Sequence, residues 1–275
     1  MATSLSWGHV SAAAGCQRRR RLVIFASKLA GLAGMHPYMD RDAMRSEFRS
    51  LVLGYTPSGY EAPAERDRRV MAELPSEARA VLVDTLASIE KLPSAETAAA
   101  VTVASGRLDG MLEGRDMDEV RTALFTQHGV VGEKGIREKA SAASGRDIRT
   151  DDAFRSIRLS NDDGSNFVLS DTFDVFIGGR HDGVSTTEDT GEICVTEIKN
   201  RVRRHLGAPT YERVQLHAYM AIFKAKRGVL IESFRDERRE HAVDFDPAFW
   251  DAVLAPTRAF LEGLMREEDN TGGPE

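Results

Sequence analysis

Three neighbouring stretches of the chain carry residue types that could hydrolyse a phosphate ester. Asp182 stands directly before a glycine, Glu197 and Lys199 are two residues apart in the next apolar segment, and Gln215 follows further along. Alternate residues of a strand point to the same face, so a strand here would place Glu197 and Lys199 side by side. If a hairpin over 185–192 pairs the flanking strands, Asp182 reaches Glu197.

Two adjacent carboxylates favour a bound cation, because their charges repel each other when nothing neutralises them. Hard oxygen ligands suit Mg²⁺ or Mn²⁺, so we predict Asp182 and Glu197 as metal ligands and Mg²⁺ (or Mn²⁺) as the cofactor. Such an ion offsets charge on a scissile phosphate and promotes hydroxide formation. Lys199 would orient or activate the attacking water. The set predicts metal-dependent phosphodiester hydrolysis.

The same residues also have ordinary structural explanations. An acidic residue two positions before a lysine occurs by chance in a chain with 43 acids. Glu197 and Lys199 could form an ion pair on an edge strand, and Asp182 could be a turn aspartate before glycine. Their position in an apolar segment favours the catalytic interpretation, because unpaired charges are costly to bury.

From residue 129 onward the hydrophobic pattern alternates between helical and extended segments. It predicts helices over 130–143 and 211–226 and from Pro247, with strands over 154–159, 166–169, 173–177, 193–198, 229–234 and 241–245. Helix, three strands, helix and strand in this order indicate an α/β (α+β) domain with a mixed sheet. Upstream, a short apolar run over 22–25 precedes predicted helices over 28–33 and 40–53.

Residues 55–120 contain short helical patterns separated by prolines and carry no recognisable chemistry. We interpret this stretch as a helical insertion. Residues 18–275 then form one domain, with its catalytic core at 129–245. Residues 1–17 are mostly small, Ser/Ala-rich and free of acids, and are expected to be a disordered tail or an organellar transit peptide.

The motifs around the candidate residues resemble those of the PD-(D/E)XK nuclease superfamily, in its YqaJ-like and lambda-type phage alkaline exonuclease (RecB-type) branch. The matching strings are Gly-Arg-His-Asp-Gly at 179–183, Glu-Ile-Lys-Asn-Arg at 197–201, Tyr-Glu-Arg-Val-Gln-Leu-His-Ala-Tyr at 211–219 and Gly-Val-Val-Gly-Glu at 129–133. The resemblance implies a restriction-endonuclease-like αβββαβ core. It assigns Glu133 as a further metal ligand, Gln215 as a residue that orients the site, and Tyr219 as a support or a DNA contact.

The N-terminal segment resembles the opening motif of the same branch, in which an arginine and a serine grip the 5′ phosphate of DNA. The match assigns these roles to Arg20 and Ser27, and Ser27 also suits a helix N-cap. Residues 199–213 contain five basic residues against one acidic residue. We therefore predict Arg201, Arg203 and Arg204 as phosphate contacts.

These features together predict a metal-dependent DNA exonuclease that acts in recombination, repair or replication. An endonuclease with the same active site is the nearest alternative. A non-catalytic DNA-binding module that retains the fold is the other. The expected partner is linear DNA with free ends. We expect no membrane partner, and a homo-oligomer is possible on the sequence.

Composition excludes several other classes of protein and of site. Among its 275 residues the chain has only Cys16 and Cys194, too few for a disulfide framework, an iron–sulfur cluster or a structural zinc site, which predicts a reducing intracellular compartment. Organelle targeting would require the leader to act as a presequence. No apolar run is long enough to span a membrane. The net charge of −6 argues against nucleic acid only if charge is uniform, but residues 1–39 contain no acid.

Overall fold

A computed structural model describes residues 19–53, 63–89, 92, 94–150, 153–187, 190–235 and 237–270. The expected tail or transit peptide at 1–17 lies outside the described residues.

The first half of the described chain is mainly helical, and the second half contains most of the strands. It begins with β1 (Arg20–Phe25), α1 (Ala26–Leu32), α2 (Arg41–Leu53), α3 (Pro63–Glu73), α4 (Ser76–Ile89), α5 (Ser94–Asp109) and α6 (Gly114–Ser144). It continues with β2 (Arg155–Arg158), β3 (Val168–Leu169), β4 (Phe173–Gly179), β5 (Gly183–Thr186), β6 (Ile193–Arg201), α7 (Thr210–Phe223), β7 (Arg227–Phe234), β8 (Glu237–Asp244) and α8 (Pro247–Asn270).

The strands form two mixed sheets. In the first sheet β1, β4 and β2 are neighbours in that order, and β3 also pairs with β4. In the second sheet the order is β5, β6, β7 and β8. The pairs β1–β4 and β6–β7 are parallel, whereas the others are antiparallel. The predicted α/β architecture with mixed strand pairing is confirmed.

Helix α6 is longer than the sequence pattern indicates. It spans 31 residues from Gly114, so the predicted start near residue 130 is wrong, while the end before Gly145 is correct. Glycines at 129, 132 and 135 interrupt the helical pattern in its middle. A side chain at Gly132 would collide with the side-chain amide of Asn200 on β6, so this glycine lets α6 approach the strand closely.

Besides a small hydrophobic cluster between α6 and the strands β6 and β7, two larger clusters hold the two halves of the described chain. The larger joins both sheets to α1, α2, α7 and α8 through residues such as Ile24, Leu29, Val195 and Leu216. The smaller lies among α3, α4, α5 and the first part of α6. The helices predicted within 55–120 therefore have their own core, and α6 runs from that core into the sheet domain. Their origin as an insertion stays a prediction.

The connection between α1 and α2 is capped at both ends. The Asp40 carboxylate accepts hydrogen bonds from the backbone N–H of Asp42 and Ala43, which caps α2. Helix α1 begins at Ala26 with Phe25 in the N-cap position, so the prediction that Ser27 caps it is wrong. Because Ser27 is already inside the helix, its hydroxyl makes no capping hydrogen bond.

Within the described residues, no helix combines the length and the apolar character needed to cross a bilayer.

Candidate active site

Strand pairing brings Asp182 to Glu197. Strands β5 and β6 are antiparallel with Gly183 opposite Thr196, so the same register places Asp182 opposite Glu197. The expected hairpin is present, closed by a 3.0 Å hydrogen bond from the Thr187 backbone N–H to the Glu192 carbonyl. Beyond Gly183 the edge of β6 has no partner from β5. There the Asp182 carboxylate accepts the backbone N–H of Ile198 at 2.7 Å.

Glu197, Lys199 and Gln215 form one connected group. The Lys199 ammonium donates to Glu197 Oε1 at 2.7 Å and to Gln215 Oε1 at 3.2 Å. Gln215 lies on α7, which packs across this face of β6. Glu197 and Lys199 pair with β7 on one side of β6, and only 1% of Glu197 is exposed. An ordinary solvent-exposed ion pair therefore does not describe this group.

Glu133 approaches the group from α6. It lies in the middle of that helix, so the favourable interaction of an acid with a helix N-terminus does not explain it. Burial and the charge of Glu197 raise the pKa of Glu133 to about 7. Electrostatically, Glu133 thus belongs with the other two carboxylates.

The pKa values show that the carboxylates are costly to ionise together. Burial, followed by the charge of Glu133, raises the pKa of Asp182 to about 6. Burial, followed by the charge of Asp182, raises the pKa of Glu197 to about 8. For Lys199, burial acts in the opposite direction, but Glu197 and Asp182 outweigh it and raise its pKa above the usual range. Lys199 is therefore a protonated ammonium.

The donor set fits a hard divalent cation. Glu197 Oε2 is buried and accepts no hydrogen bond from any residue that the structure describes. Asp182, Glu197 and Glu133 supply the oxygen ligands that Mg²⁺ and Mn²⁺ prefer. Across the described ranges, no group of three His, Cys, Asp or Glu side chains is arranged so that all three could hold a metal ion. Mg²⁺ commonly keeps several water ligands, so an incomplete protein shell suits it.

Arg137 belongs to the site and was missed in the sequence. Its Nη1 donates to the backbone carbonyl of Asp182 at 2.9 Å, which ties the turn after β4 to α6. Arg137 follows Glu133 by four residues on the same helix, and this spacing places both side chains on one face. The spacing could have indicated it once Glu133 was suspected.

Tyr219 supports the site from inside and does not reach solvent. Its hydroxyl donates to the Arg180 carbonyl at 2.6 Å, and only 4% of the residue is exposed. A Cβ atom on Gly179 would lie 2.6 Å from that hydroxyl, so the glycine makes room for it. The predicted DNA contact is wrong, because the ring is buried behind the turn that carries Asp182.

Arg201 is likewise unavailable to DNA. Its guanidinium donates two hydrogen bonds to the Glu212 carboxylate, at 2.7 and 2.6 Å, and one from Nε to Glu232 at 2.7 Å. Glu232 also accepts the backbone N–H groups of Leu206 and Gly207. These donors outweigh burial and lower the pKa of Glu232 to about 2. The predicted phosphate contact at Arg201 is corrected to an internal ion pair that anchors the following loop.

Arg203 and Arg204 lie on that anchored loop and are exposed. The Arg203 guanidinium lies 5.8 Å from the centre of the Phe125 ring on α6. Their positions leave both arginines accessible to a phosphate backbone, and their role as DNA contacts stays a prediction.

Arg20 lies at the start of β1, and Ser27 lies in α1 directly after the end of that strand. Arg20 pairs with Phe173 at the start of β4, whereas Phe25 pairs with Gly178 near its end. An extended strand rises about 3.3 Å per residue, so Arg20 and Phe25 lie about 17 Å apart. The guanidinium of Arg20 rests over the Phe173 ring. Ser27 is exposed near the end of the sheet that leads to Asp182, and the joint grip of Arg20 and Ser27 on one phosphate stays a prediction.

Comparisons with known proteins gave no family and several distant structures. No protein-family model and no curated protein matches the chain. An alkaline exonuclease from Laribacter hongkongensis (LHK-Exo) is similar at 12% identity and a TM-score of 0.42, over 90% of this chain and 91% of that chain. LHK-Exo in complex with dAMP is similar at 14% identity and a TM-score of 0.38, over 68% of this chain and 89% of that chain. A phage-related exonuclease from Haemophilus somnus is similar at 11% identity and a TM-score of 0.37, over 91% of this chain and 97% of that chain.

All three structures are described as exonucleases, the class of enzyme that the sequence motifs resemble. Identities and TM-scores this low do not establish a shared function. The function of this chain has to be argued from its own site.

Proposed function

We propose that this protein is a divalent-metal-dependent nuclease that hydrolyses phosphodiester bonds in DNA from a free end. The observation that carries the proposal is the group of Asp182, Glu197 and Lys199, which strand pairing brings to one face of the second sheet. Raised carboxylate pKa values and the unpartnered Glu197 Oε2 support a cation at this position.

Asp182 and Glu197 would hold the cation, with Glu133 as a further ligand, directly or through water. Mg²⁺ or Mn²⁺ bound there supplies positive charge opposite the scissile phosphate and lowers the pKa of a coordinated water. The hydrogen bond from Ile198 N–H and the tie from Arg137 keep the Asp182 carboxylate and its backbone in place.

Lys199 acts as a hydrogen-bond donor and not as a base, since its pKa is raised and the ammonium keeps its proton. Two of its three N–H groups are directed to Glu197 and Gln215. The third is available to orient the attacking water or to bind a phosphate oxygen. Gln215, as the acceptor on α7, sets the direction of the ammonium. Water attacks phosphorus, one phosphorus–oxygen bond breaks, and a phosphate monoester and a hydroxyl are released.

Binding of DNA would use the exposed Arg203 and Arg204, whose loop is held by Glu232. Two exposed planar guanidinium groups, four and five residues after Lys199 in the chain, suit a polyanionic backbone. They carry no preference for a particular base. A role in recombination, repair or replication follows from an activity on DNA ends and belongs to the same proposal.

A cleavage assay with the full chain tests the proposal. We expect a 5′-phosphorylated linear duplex to be degraded with Mg²⁺ and preserved in EDTA, and a covalently closed circle to stay intact. Lys199→Ala should abolish cleavage without abolishing DNA binding. Lys226→Ala, at an exposed lysine outside the site, is the matched control and should cleave normally.

Other results would point elsewhere. Nicking of the closed circle would identify an endonuclease on the same site. DNA binding without cleavage in Mg²⁺ or Mn²⁺, together with no calorimetric uptake of either ion, would identify a non-catalytic DNA-binding module.

A further inference from the structure

Three aromatic rings from two distant parts of the chain meet beside the candidate active site. The centre of the His36 ring lies 4.4 Å from that of Tyr211 and 6.0 Å from that of Tyr38, and the Tyr38 and Tyr211 centres are 6.4 Å apart. Tyr38 is 82% exposed, the highest exposure among the large apolar and aromatic side chains described. We call His36, Tyr38 and Tyr211 the aromatic triad.

The turn between α1 and α2 presents the Tyr38 ring in a fixed position. Gly34, at φ +72°, ends α1, and the next backbone N–H donates to the Ala30 carbonyl at 2.8 Å. Asp40 caps α2 on the other side. Within the turn, the Tyr38 backbone N–H donates to His36 Nδ1 at 3.2 Å. The ring is thus exposed to solvent, while hydrogen bonds on both sides hold the turn that carries it.

The aromatic triad lies close to the proposed chemistry. Tyr211 is in the first turn of α7, and Gln215 lies four residues later on the same face, about 6 Å away. Gln215 Oε1 is 3.2 Å from the Lys199 ammonium. A strand with its phosphate at Lys199 could therefore place a neighbouring base against these rings.

We propose that the aromatic triad stacks on a nucleobase of the strand held at the active site, with Tyr38 as the principal platform. This inference rests on the proposed nuclease function and extends it by naming how the bases are held. Surfaces that bind single strands combine cations for the phosphates with aromatic rings for the bases. Arg203 and Arg204 supply the cations, and the aromatic triad supplies the rings.

The charge state of the rings fits this assignment. Burial lowers the pKa of His36 and raises the pKa of Tyr211, so both rings are neutral near pH 7. A neutral aromatic surface offers stacking without reading the edge of the base. We therefore expect tolerance of base identity.

Fluorescence of a 2-aminopurine reporter tests the stacking directly. The probe is a 5′-phosphorylated oligodeoxynucleotide with 2-aminopurine next to its end, titrated in Mg²⁺ with the full chain carrying Lys199→Ala to prevent cleavage. Stacking quenches the reporter, so binding should lower its fluorescence. Adding Tyr38→Ala should remove the quenching and weaken binding by about 5- to 100-fold.

Two controls separate the ring from other effects. Tyr38→Phe keeps the ring without its hydroxyl and should retain both quenching and affinity. Phe154→Ala removes a ring that is 43% exposed on the first sheet and should change neither. Because Tyr38 is so exposed, its replacement should leave the thermal unfolding of the chain unaltered.

The possible outcomes distinguish the two proposals. Unchanged quenching and affinity in Tyr38→Ala, while the wild-type chain cleaves, would overturn the stacking proposal and leave the nuclease proposal standing. Tyr38-dependent quenching in a chain that never cleaves would support stacking and overturn the nuclease. A dimer that Tyr38→Ala dissociates, with DNA binding unaffected, would show that the ring contacts a second copy of the chain and overturn stacking.

Discussion

Two buried glutamates on neighbouring strands have opposite electrostatic states. Glu197 on β6 and Glu232 on β7 are 1% and 0% exposed. The pKa of Glu197 is raised to about 8, whereas that of Glu232 is lowered to about 2. The difference teaches that burial alone does not set the charge of a carboxylate in this fold.

The number of donors around each carboxylate explains the difference. Glu232 receives the guanidinium of Arg201 and two backbone N–H groups, and His241 Nε2 lies 3.0 Å away. Glu197 receives only Lys199, leaves one oxygen without a described partner, and faces another carboxylate. Glu232 is thus a completed structural site. Glu197 is an incomplete one, as expected where a ligand binds.

The largest effect should come from removing the completed site. Glu232→Gln places an amide N–H₂ against donors and leaves Arg201 short of a partner, so we expect a loss of about 3 kcal/mol in the free energy of unfolding. Urea denaturation at pH 7 measures it. Glu237→Gln, at an exposed glutamate nearby, should cost almost nothing. An equal, small change in both variants would contradict the comparison.

Neutralising a carboxylate beside Glu197 should raise the free energy of unfolding, whereas Glu232→Gln should lower it. Asp182→Asn removes one of the repelling charges and keeps an oxygen for Ile198 N–H. In EDTA at pH 8 we expect the variant to be more stable than wild type by about 1–2 kcal/mol. Thermal unfolding checks this, with the exposed Asp244→Asn as the control. A destabilised Asp182→Asn chain would show that the carboxylate is satisfied without a cation.

The stabilisation by Asp182→Asn should depend on pH in a definite direction. A carboxyl whose pKa is raised on folding stabilises the folded state fully at a pH below its pKa in the unfolded chain. This stabilisation is lost as the pH rises through its pKa in the folded chain. For Asp182 and Glu197 the loss falls between about pH 4 and pH 8. The gap between variant and wild type should therefore close near pH 4.5 and widen toward pH 8. Titrating groups far from the site cancel in this difference, whereas Glu197 loses the repulsion from Asp182 in the variant and adds to the gap. A gap independent of pH would refute the assignment.

The smallest expected effect concerns α6, the helix that carries Glu133. A Cβ atom at Gly135 would meet nothing within 4 Å, so Gly135→Ala should stabilise the chain by about 0.5–1 kcal/mol. At Gly132 the same substitution collides with Asn200 and should destabilise it. Parallel melting curves of the two variants test whether close approach of α6 to β6 is what requires glycine.

The sequence was informative wherever local geometry decides the outcome. The two-residue spacing of Glu197 and Lys199 places them on one face of β6, and the hairpin register brings Asp182 opposite Glu197. Gln215 follows because α7 packs across that face. The relations among Asp182, Glu197 and Lys199 need only the repeat of a strand and one antiparallel turn. The metal and the roles of these residues stay predictions.

Errors arose where distant parts of the chain compete for a side chain. Arg201 belongs to a basic segment, yet buried acids on α7 and β7 neutralise it. Tyr219 follows Gln215 by one helical turn, but its hydroxyl turns inward to the Arg180 carbonyl. Local charge counts and residue spacing do not reveal these partners, because the partners lie elsewhere in the chain.

By itself, the sequence determined the α/β class, the strand that carries the acid–lysine pair and the order of the elements around it, because hydrophobic periodicity and strand alternation act over a few residues. Only the tertiary structure decided which arginines stay exposed, how far α6 extends and that His36, Tyr38 and Tyr211 meet beside Lys199. The physical reason is that such contacts depend on packing between elements far apart in the chain, for which no short sequence pattern exists.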